Sequence, residues 1–94
     1  MADKVLHVVC YDITSNRLRA RVSAHLEELG IRVQGSVFEL WLTRDQALRL
    51  GARLGAMIDR SDSLRLYPVP RSGLRKAQSH GRGGPPNPGP DLIF

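Results

Sequence analysis

The sequence has little of what several common functional classes require. It contains a single cysteine, Cys10, so an internal disulfide and a zinc site built from several cysteines are both excluded. The three histidines, His7, His25 and His80, are too far apart in sequence for a metal-ligand spacing. No Walker loop, glycine-rich dinucleotide loop or Ser–His–Asp pattern is present. These absences argue against the enzyme classes that those motifs define.

Long hydrophobic runs are also missing. No segment approaches the roughly 20 apolar residues that a membrane-spanning helix needs. The apolar run after Lys4 ends at Asp12, which is too soon for a signal peptide. We therefore expect a cytoplasmic protein without a membrane partner.

The chain is small and basic. Its 94 residues predict one domain with a modest core, which dimerisation would help to stabilise. The formal charge is +5, and 12 of the 14 basic residues are arginine. Arginine matches phosphate oxygens well, so this composition favours a polyanionic partner. A GC-rich genome would also raise the arginine content, so charge alone does not decide the function.

The hydrophobic pattern alternates between strand and helix periods along the first 70 residues. The first predicted elements are a strand over 4–12 and a helix that is capped by Thr14 or Ser15 and ends at Gly30. Two strands follow, over 31–34 and 37–42, joined by a turn at Gly35-Ser36. The last two elements are a helix from Thr43 to about Ile58 and a strand over 63–70. This βαββαβ order predicts an α+β, ferredoxin-like fold with a four-stranded antiparallel sheet.

Two features of the pattern predict how the layers pack. Each helix has one apolar face; the positions are Leu18, Val22, Leu26 and Leu29 in the first helix, and Ala47, Leu50, Leu54 and Ile58 in the second. The strand over 4–12 is apolar on both faces. Helices can cover one side of the sheet, and a second copy of the sheet would cover the other.

The composition changes at Arg71. Residues 1–70 are predicted to form the ferredoxin-like domain, and residues 71–94 a basic tail rich in glycine and proline. A short fifth strand is predicted over 73–79. The last four residues, Asp91-Leu92-Ile93-Phe94, could add as a strand to another sheet edge, and a disordered terminus is the alternative.

Asp12 is the main candidate for chemistry. It ends an apolar strand just before a helix N-terminus, where it could either work in a site or simply accept backbone N–H bonds. One carboxylate alone makes a poor magnesium site, since Mg²⁺ usually takes one or two carboxylates with waters and substrate phosphates. A symmetric dimer could supply a second copy of Asp12.

Basic residues near Asp12 are candidates for nucleic-acid binding. Arg17, Arg19 and Arg21 open the first helix, where positive charge opposes the macrodipole and a bound phosphate would offset the penalty. A solvated helix face is the alternative. Arg32 or Arg65 could extend the basic surface, and Ser36 could orient a metal-bound water or a phosphate.

Four features together resemble the CRISPR-associated Cas-two family. They are Tyr11-Asp12-Ile13, the arginine-rich opening of the first helix, the segment RVQGSVFE at 32–39 and the segment DSLRLY at 62–67. The resemblance covers about residues 4–70. It implies a ferredoxin-like homodimer in CRISPR adaptation, which bridges the Cas-one integrase and helps bind and integrate new spacer DNA.

The resemblance also implies a site. Some family members are Mg²⁺-dependent endonucleases on single-stranded RNA or double-stranded DNA, and there the residue matching Asp12 is the proposed metal ligand, with one ion shared by two Asp12 of the dimer. The residues matching Arg17, Arg19, Ser36 and Phe38 are the other candidates. Gly35 departs from the family, where many relatives carry a larger residue.

Other functions stay open at this point. Family members differ in nuclease activity, so a non-catalytic nucleic-acid-binding scaffold fits the same residues. A toxin-type ribonuclease of related fold is a further alternative. A conventional RNA-recognition domain fits less well, because the strand over 37–42 lacks that module's aromatic pattern.

Overall fold

The computed structural model describes residues 3–82. Its elements are β1 (Val5–Asp12), α1 (Asn16–Leu29), β2 (Ile31–Gln34), β3 (Val37–Leu42), α2 (Arg44–Gly55), β4 (Ser63–Val69) and α3 (Arg71–Arg75). The strands form one sheet in the order β2-β3-β1-β4, and all neighbouring strands are antiparallel. The predicted ferredoxin-like βαββαβ arrangement is confirmed.

Both long helices begin where the sequence places them. The Ser15 side chain accepts a hydrogen bond from the Leu18 N–H at 3.2 Å and caps α1. At the start of α2, Thr43 and Gln46 form a reciprocal capping box with bonds of 3.1 and 2.8 Å. Each cap satisfies backbone donors that have no partner inside the helix.

One face of the sheet packs against the two long helices, and we call it the covered face. The register places Val9 opposite both Phe38 and Leu66, so these three side chains share this face. The core is made by the buried residues Val9, Tyr11, Ile13, Val22, Leu26, Phe38, Leu40, Leu42, Leu50 and Leu54. This layer is the folding core of the chain.

The opposite face of the sheet, which we call the open face, is not covered by α1 or α2. The short helix α3 follows β4 at one end of this face, where Leu6 is already buried within the chain. Going along β1, the open face carries Leu6, Val8, Cys10 and Asp12, which alternate with the residues of the covered face. The neighbouring strands add Trp41 and the 47% exposed Tyr67 to the same side. The prediction that β1 is apolar on both faces is confirmed.

Two details of the helices differ from the prediction. Leu29 is 50% exposed, because it is the last residue of α1 and lies at the rim of a groove instead of in the core. The second helix ends at Gly55, three residues before Ile58. Gly51 and Gly55 weaken this helix, and after it the chain tightens into a turn in which the Met57 N–H bonds the Leu54 carbonyl at 3.0 Å.

The fifth strand predicted over 73–79 is wrong, because the segment begins with the short helix α3. Pro70 stands at its N-cap, and its carbonyl accepts a bond from the Leu74 N–H at 2.9 Å. The segment is rich in helix-forming residues and has no β-branched side chain, which favours this outcome. The predicted docking segment 91–94 lies outside the described residues.

Between Asp3 and Arg82, no helix is long and apolar enough to cross a lipid bilayer.

Candidate functional site

Asp12 is the last residue of β1 and is exposed on the open face. Its strand partner is Ser63 at the start of β4. Asp12 is not needed to cap α1, since Ser15 does that and the Asp62 carboxylate accepts the Thr14 N–H bond at 3.1 Å. No hydrogen bond or ion pair engages the Asp12 carboxylate within residues 3–82. It is therefore available to a ligand or a second chain.

A single chain offers no ready metal site around Asp12. Among the described residues, no three His, Cys, Asp or Glu side chains come close enough to hold one ion. Asp62, an acid in the loop before β4, accepts hydrogen bonds from the backbone N–H groups of Thr14 and Asp59. The residues present fit Mg²⁺ only if a second Asp12, waters and substrate phosphates complete the coordination.

A polar cleft of about 490 Å³ lies elsewhere, between the first half of α1 and the β2–β3 turn. It is lined by Tyr11, Asn16, Arg19, Ala20, Ser23, Arg32, Gly35 and Ser36. The structure thus brings together three of the predicted site residues, Arg19, Arg32 and Ser36. Asp12 does not line this cleft.

Arg19 has a structural task at the mouth of the cleft. Its guanidinium donates a 2.8 Å hydrogen bond to the Ile13 carbonyl and also contacts Asn16 Oδ1. These bonds hold the β1–α1 loop against the helix. Guanidinium N–H groups that are not used in this way face the cleft, where they can bind an anion.

Arg32 is held on three sides. One Nη donates to the Gly35 carbonyl at 3.1 Å, and the other pairs with the Glu27 carboxylate. The guanidinium carbon lies 5.0 Å from the centre of the Phe38 ring, which is within range of a cation–π contact. These contacts fix the guanidinium at the cleft and shape the turn that follows.

The turn itself is tied to the core through Tyr11. The Tyr11 N–H donates to the Ser36 carbonyl at 3.2 Å, and the Tyr11 hydroxyl approaches the Gly35 carbonyl at 3.4 Å. The rings of Tyr11 and Phe38 stack with centroids 6.3 Å apart. Phe38 is fully buried, so it is a core residue and not a platform for base stacking.

Arg17 and Arg21 are exposed on α1, four residues apart, and do not line the cleft. The first turn of α1 has no acidic residue to offset them. Neither forms an ion pair with another described residue. Their positive charge is therefore open to a phosphate backbone approaching along this helix.

The sequence suggested Arg65 only as part of a basic surface, and its pairing with Tyr67 was not predicted. Arg65 Nη1 donates a 3.0 Å hydrogen bond to the Tyr67 hydroxyl on the open face. This hydrogen bond raises the pKa of the Arg65 guanidinium above its usual value. The spacing of two residues along a strand, which puts both side chains on one face, was the available signal.

Comparison with known proteins gives a consistent result. A family model described as CRISPR associated protein Cas2 matches residues 5–77. The CRISPR-associated endoribonuclease Cas2 of Mycobacterium tuberculosis is 38% identical over 80 residues, which cover 85% of this chain and 69% of that protein.

Solved structures agree. The crystal structure of Streptococcus pyogenes Cas2 superposes with a TM-score of 0.69 at 28% identity and covers 81% of this chain and 99% of that one. A chain from a partial Cas6-RT-Cas1–Cas2 complex has a TM-score of 0.67 at 29% identity and covers 87% of this chain and 94% of that one.

Proposed function

This chain belongs to the CRISPR associated protein Cas2 family, and on that premise we propose that it acts in CRISPR adaptation. In this proposal it is a homodimer that bridges the Cas1 integrase and helps bind and integrate new spacer DNA. The observation that carries the proposal is the likeness, along 87% of the chain, to a protein from a Cas1–Cas2 complex.

The homodimer is supported by the open face. The exposed Tyr67 and the half-buried Val8 and Trp41 leave apolar surface on a sheet whose other side is already filled by helices. Two sheets that pack face to face bury such a surface at a separation of about 10 Å. A second copy is the occupant because a symmetric interface needs only one self-complementary patch.

Nucleic-acid binding is supported by the helix side of the molecule. Arg17 and Arg21 are exposed on α1, and Arg19 and Arg32 face the neighbouring cleft. Arg17 and Arg21 lie on one side of α1, and Arg19, two residues from each, lies on the other side with Arg32, so the chain offers two basic surfaces to the phosphates of a nucleic acid. In this proposal Arg17 and Arg21 bind the backbone, and Arg19 and Arg32 also keep the loop and turn in place.

A Mg²⁺-dependent endonuclease activity is the finer part of the proposal. Several relatives are named endoribonucleases, among them the M. tuberculosis protein. In the dimer, the two Asp12 carboxylates would hold one Mg²⁺, which would polarise the scissile phosphate and lower the pKa of an attacking water. Asp12 is suited to this role since its carboxylate has no partner among residues 3–82.

Ser36 is assigned to orientation of a phosphate or of the attacking water. It lies at the β2–β3 turn, beside the cleft, and its carbonyl is bonded to the Tyr11 N–H. The geometry separates it from the face that carries Asp12. A role for both residues in one reaction therefore requires the substrate to reach from the cleft to the edge of the dimer.

The test of the nuclease is a cleavage assay with labelled single-stranded RNA and duplex DNA, with and without Mg²⁺. Asp12→Asn should abolish cleavage and leave dimerisation and binding intact, because it removes only the ligand charge. Glu28→Gln, an exposed change on α1, is the matched control. Cleavage by Asp12→Asn at the wild-type rate would remove Asp12 from the mechanism.

The test of the adaptation role is reconstitution with Cas1. The wild-type chain should form a stable complex with Cas1 and increase integration of a spacer duplex. Asp12→Asn should do the same, because bridging needs the dimer and not the metal. Binding and integration without cleavage by either protein would identify the chain as a non-catalytic scaffold.

A further inference from the structure

The open face is arranged in rows that run across β3, β1 and β4. From one end of β1 to the other, the register gives Trp41–Leu6–Val69, then Glu39–Val8–Tyr67, then Val37–Cys10–Arg65, and last Asp12 beside Ser63. The first row is apolar and the last is polar. The two middle rows each place one charge on a strand beside β1 and an apolar residue on β1 itself.

The two charges have opposite signs and lie on the two strands that flank β1, with β2 lying outside β3. Glu39 is on β3 and Arg65 is on β4, with β1 between them. Neither forms an ion pair within residues 3–82, where the ion pair between Arg32 and Glu27 lies on the other side of the sheet. Lys4 lines the same shallow groove as Glu39 without pairing with it.

We propose that Glu39 of each copy pairs with Arg65 of the other, and that these two equivalent pairs set the register of the homodimer. The inference rests on the homodimer proposed above and goes beyond it, since it names the residues that determine how the two sheets are aligned. An isologous interface makes every such contact twice.

The register fixes the symmetry that this pairing needs. A two-fold axis that lies between the sheets and runs parallel to β1 places each β1 opposite its own copy and each β4 opposite the β3 of the second copy. Arg65 then lies over Val37 and next to Glu39 of the other chain. A two-fold axis across the strands would instead place β4 over β4 and bring Arg65 towards the like-charged β4 edge.

Tyr67 directs the guanidinium towards its partner. Tyr67 shares a row with Glu39, and its hydroxyl accepts the 3.0 Å hydrogen bond from Arg65. This bond draws the guanidinium from its own row towards the row that holds Glu39. The guanidinium keeps its charge when the face is covered, because arginine is not deprotonated in proteins.

The same axis serves the proposed metal site. With β1 opposite β1, the two Asp12 side chains lie at matching positions at one end of the interface. Trp41 is covered at the other end, beside Leu6, which the chain itself already buries. One arrangement therefore covers the remaining apolar surface, pairs Glu39 with Arg65 twice and brings the two carboxylates together.

A charge-swap experiment tests the pairing, with self-association of the full chain measured by sedimentation equilibrium. Glu39→Arg and Arg65→Glu should each weaken the dimer by on the order of 100-fold or more, because each creates two like-charge contacts. The double variant, and an equimolar mixture of the two single variants, should return to within about tenfold of wild type. Arg53→Glu on the exposed side of α2 is the control and should have no effect.

The outcomes separate this inference from the proposal beneath it. Wild-type chains that stay monomeric would overturn the homodimer itself. Dimers that are unchanged in both single variants, or that the double variant and the mixture fail to restore, would overturn the pairing and leave the homodimer standing. Circular dichroism of each variant shows that a lost dimer is not a lost fold.

Discussion

The two faces of this sheet are built from the same strands, yet their apolar residues have different structural roles. On the covered face, Phe38 and Leu40 are fully buried by helices of the same chain. On the open face, Val8 and Trp41 remain half-buried, and Tyr67 is exposed. The first face determines whether the chain folds, and the second is left to determine what it assembles with.

The charged side chains on the two sides of the sheet also differ in the partners that they bind. The guanidinium groups of Arg19 and Arg32 are held by carbonyls and by Glu27 on the helix side. On the open face, Asp12 has no partner within residues 3–82, and Arg65 has only a neutral phenol. On the helix side, Arg19 and Arg32 therefore stabilise the fold, whereas Asp12 and Arg65 on the open face remain available to another molecule.

The largest expected effect comes from the covered face. Phe38→Ala should cost about 3–5 kcal/mol of unfolding free energy, because it removes a fully buried ring and leaves a cavity. Chemical denaturation measures it. Val37→Ala, the half-buried neighbour on the open face, should cost much less. Equal losses at both positions would erase the distinction between the faces.

A charge at the centre of the open face tests assembly directly. Val8→Asp should dissociate the dimer, because an uncompensated buried charge costs on the order of 3–5 kcal/mol. The monomer should keep its secondary structure. Leu48→Asp on α2 is the matched control, since Leu48 is 63% exposed on the helix side. Dissociation by Leu48→Asp and not by Val8→Asp would place the interface on the helices.

A substitution at the contact between α1 and β3 tests the packing of the covered face through a smaller loss of stability. A Cβ atom on Gly30 would lie 2.3 Å from the Glu39 carbonyl and 2.8 Å from Leu40 Cγ. Gly30→Ala should therefore destabilise the fold by about 1–3 kcal/mol.

A matched glycine in α2 supplies the control for Gly30. At Gly51 a Cβ would meet Leu66 Cδ1 at 3.8 Å, an ordinary contact. Gly51→Ala should stabilise the chain by about 0.5–1 kcal/mol, as expected inside a helix. Both values come from thermal or denaturant unfolding. Two changes of the same sign would contradict the close approach at Gly30.

The smallest effect concerns nucleic-acid binding on the helix side. Arg17→Gln should lower the slope of log affinity against log salt by about 0.9 for duplex DNA, the value for one lost phosphate contact. The free energy of unfolding should not change, because Arg17 makes no contact that the fold uses. Arg19→Gln should change both quantities, since it also loses its bond to Ile13. An unchanged salt slope in Arg17→Gln would remove this residue from the interface.

Much of the fold could be predicted from local signals. The boundaries of β2 and β3, the Ser15 cap and the capping box at Thr43 follow from patterns that span a few residues. The exposure of Leu29 could not be predicted, because it depends on where α1 ends relative to the sheet. The helix α3 was not predicted, because the glycine and proline content of residues 71–94 indicated a tail in spite of the helix propensity of its first residues.

The residues of the candidate site could be predicted from the sequence, but their positions relative to one another could not. Arg19, Arg32 and Ser36 meet at one cleft, as their roles suggested, whereas Asp12 lies on the other side of the sheet. Strand alternation gives the face of Asp12 only once its register with β3 and β4 is known. The role of the Arg65–Tyr67 pair likewise could not be inferred until this register showed which residues lie beside it.

Sedimentation equilibrium of the unmodified chain over a range of concentrations shows whether the open face forms a dimer in solution. We expect a species of twice the 10.4 kDa chain mass that dissociates on dilution. A mass of 10.4 kDa at every concentration would contradict it, because the open face would then remain uncovered in solution.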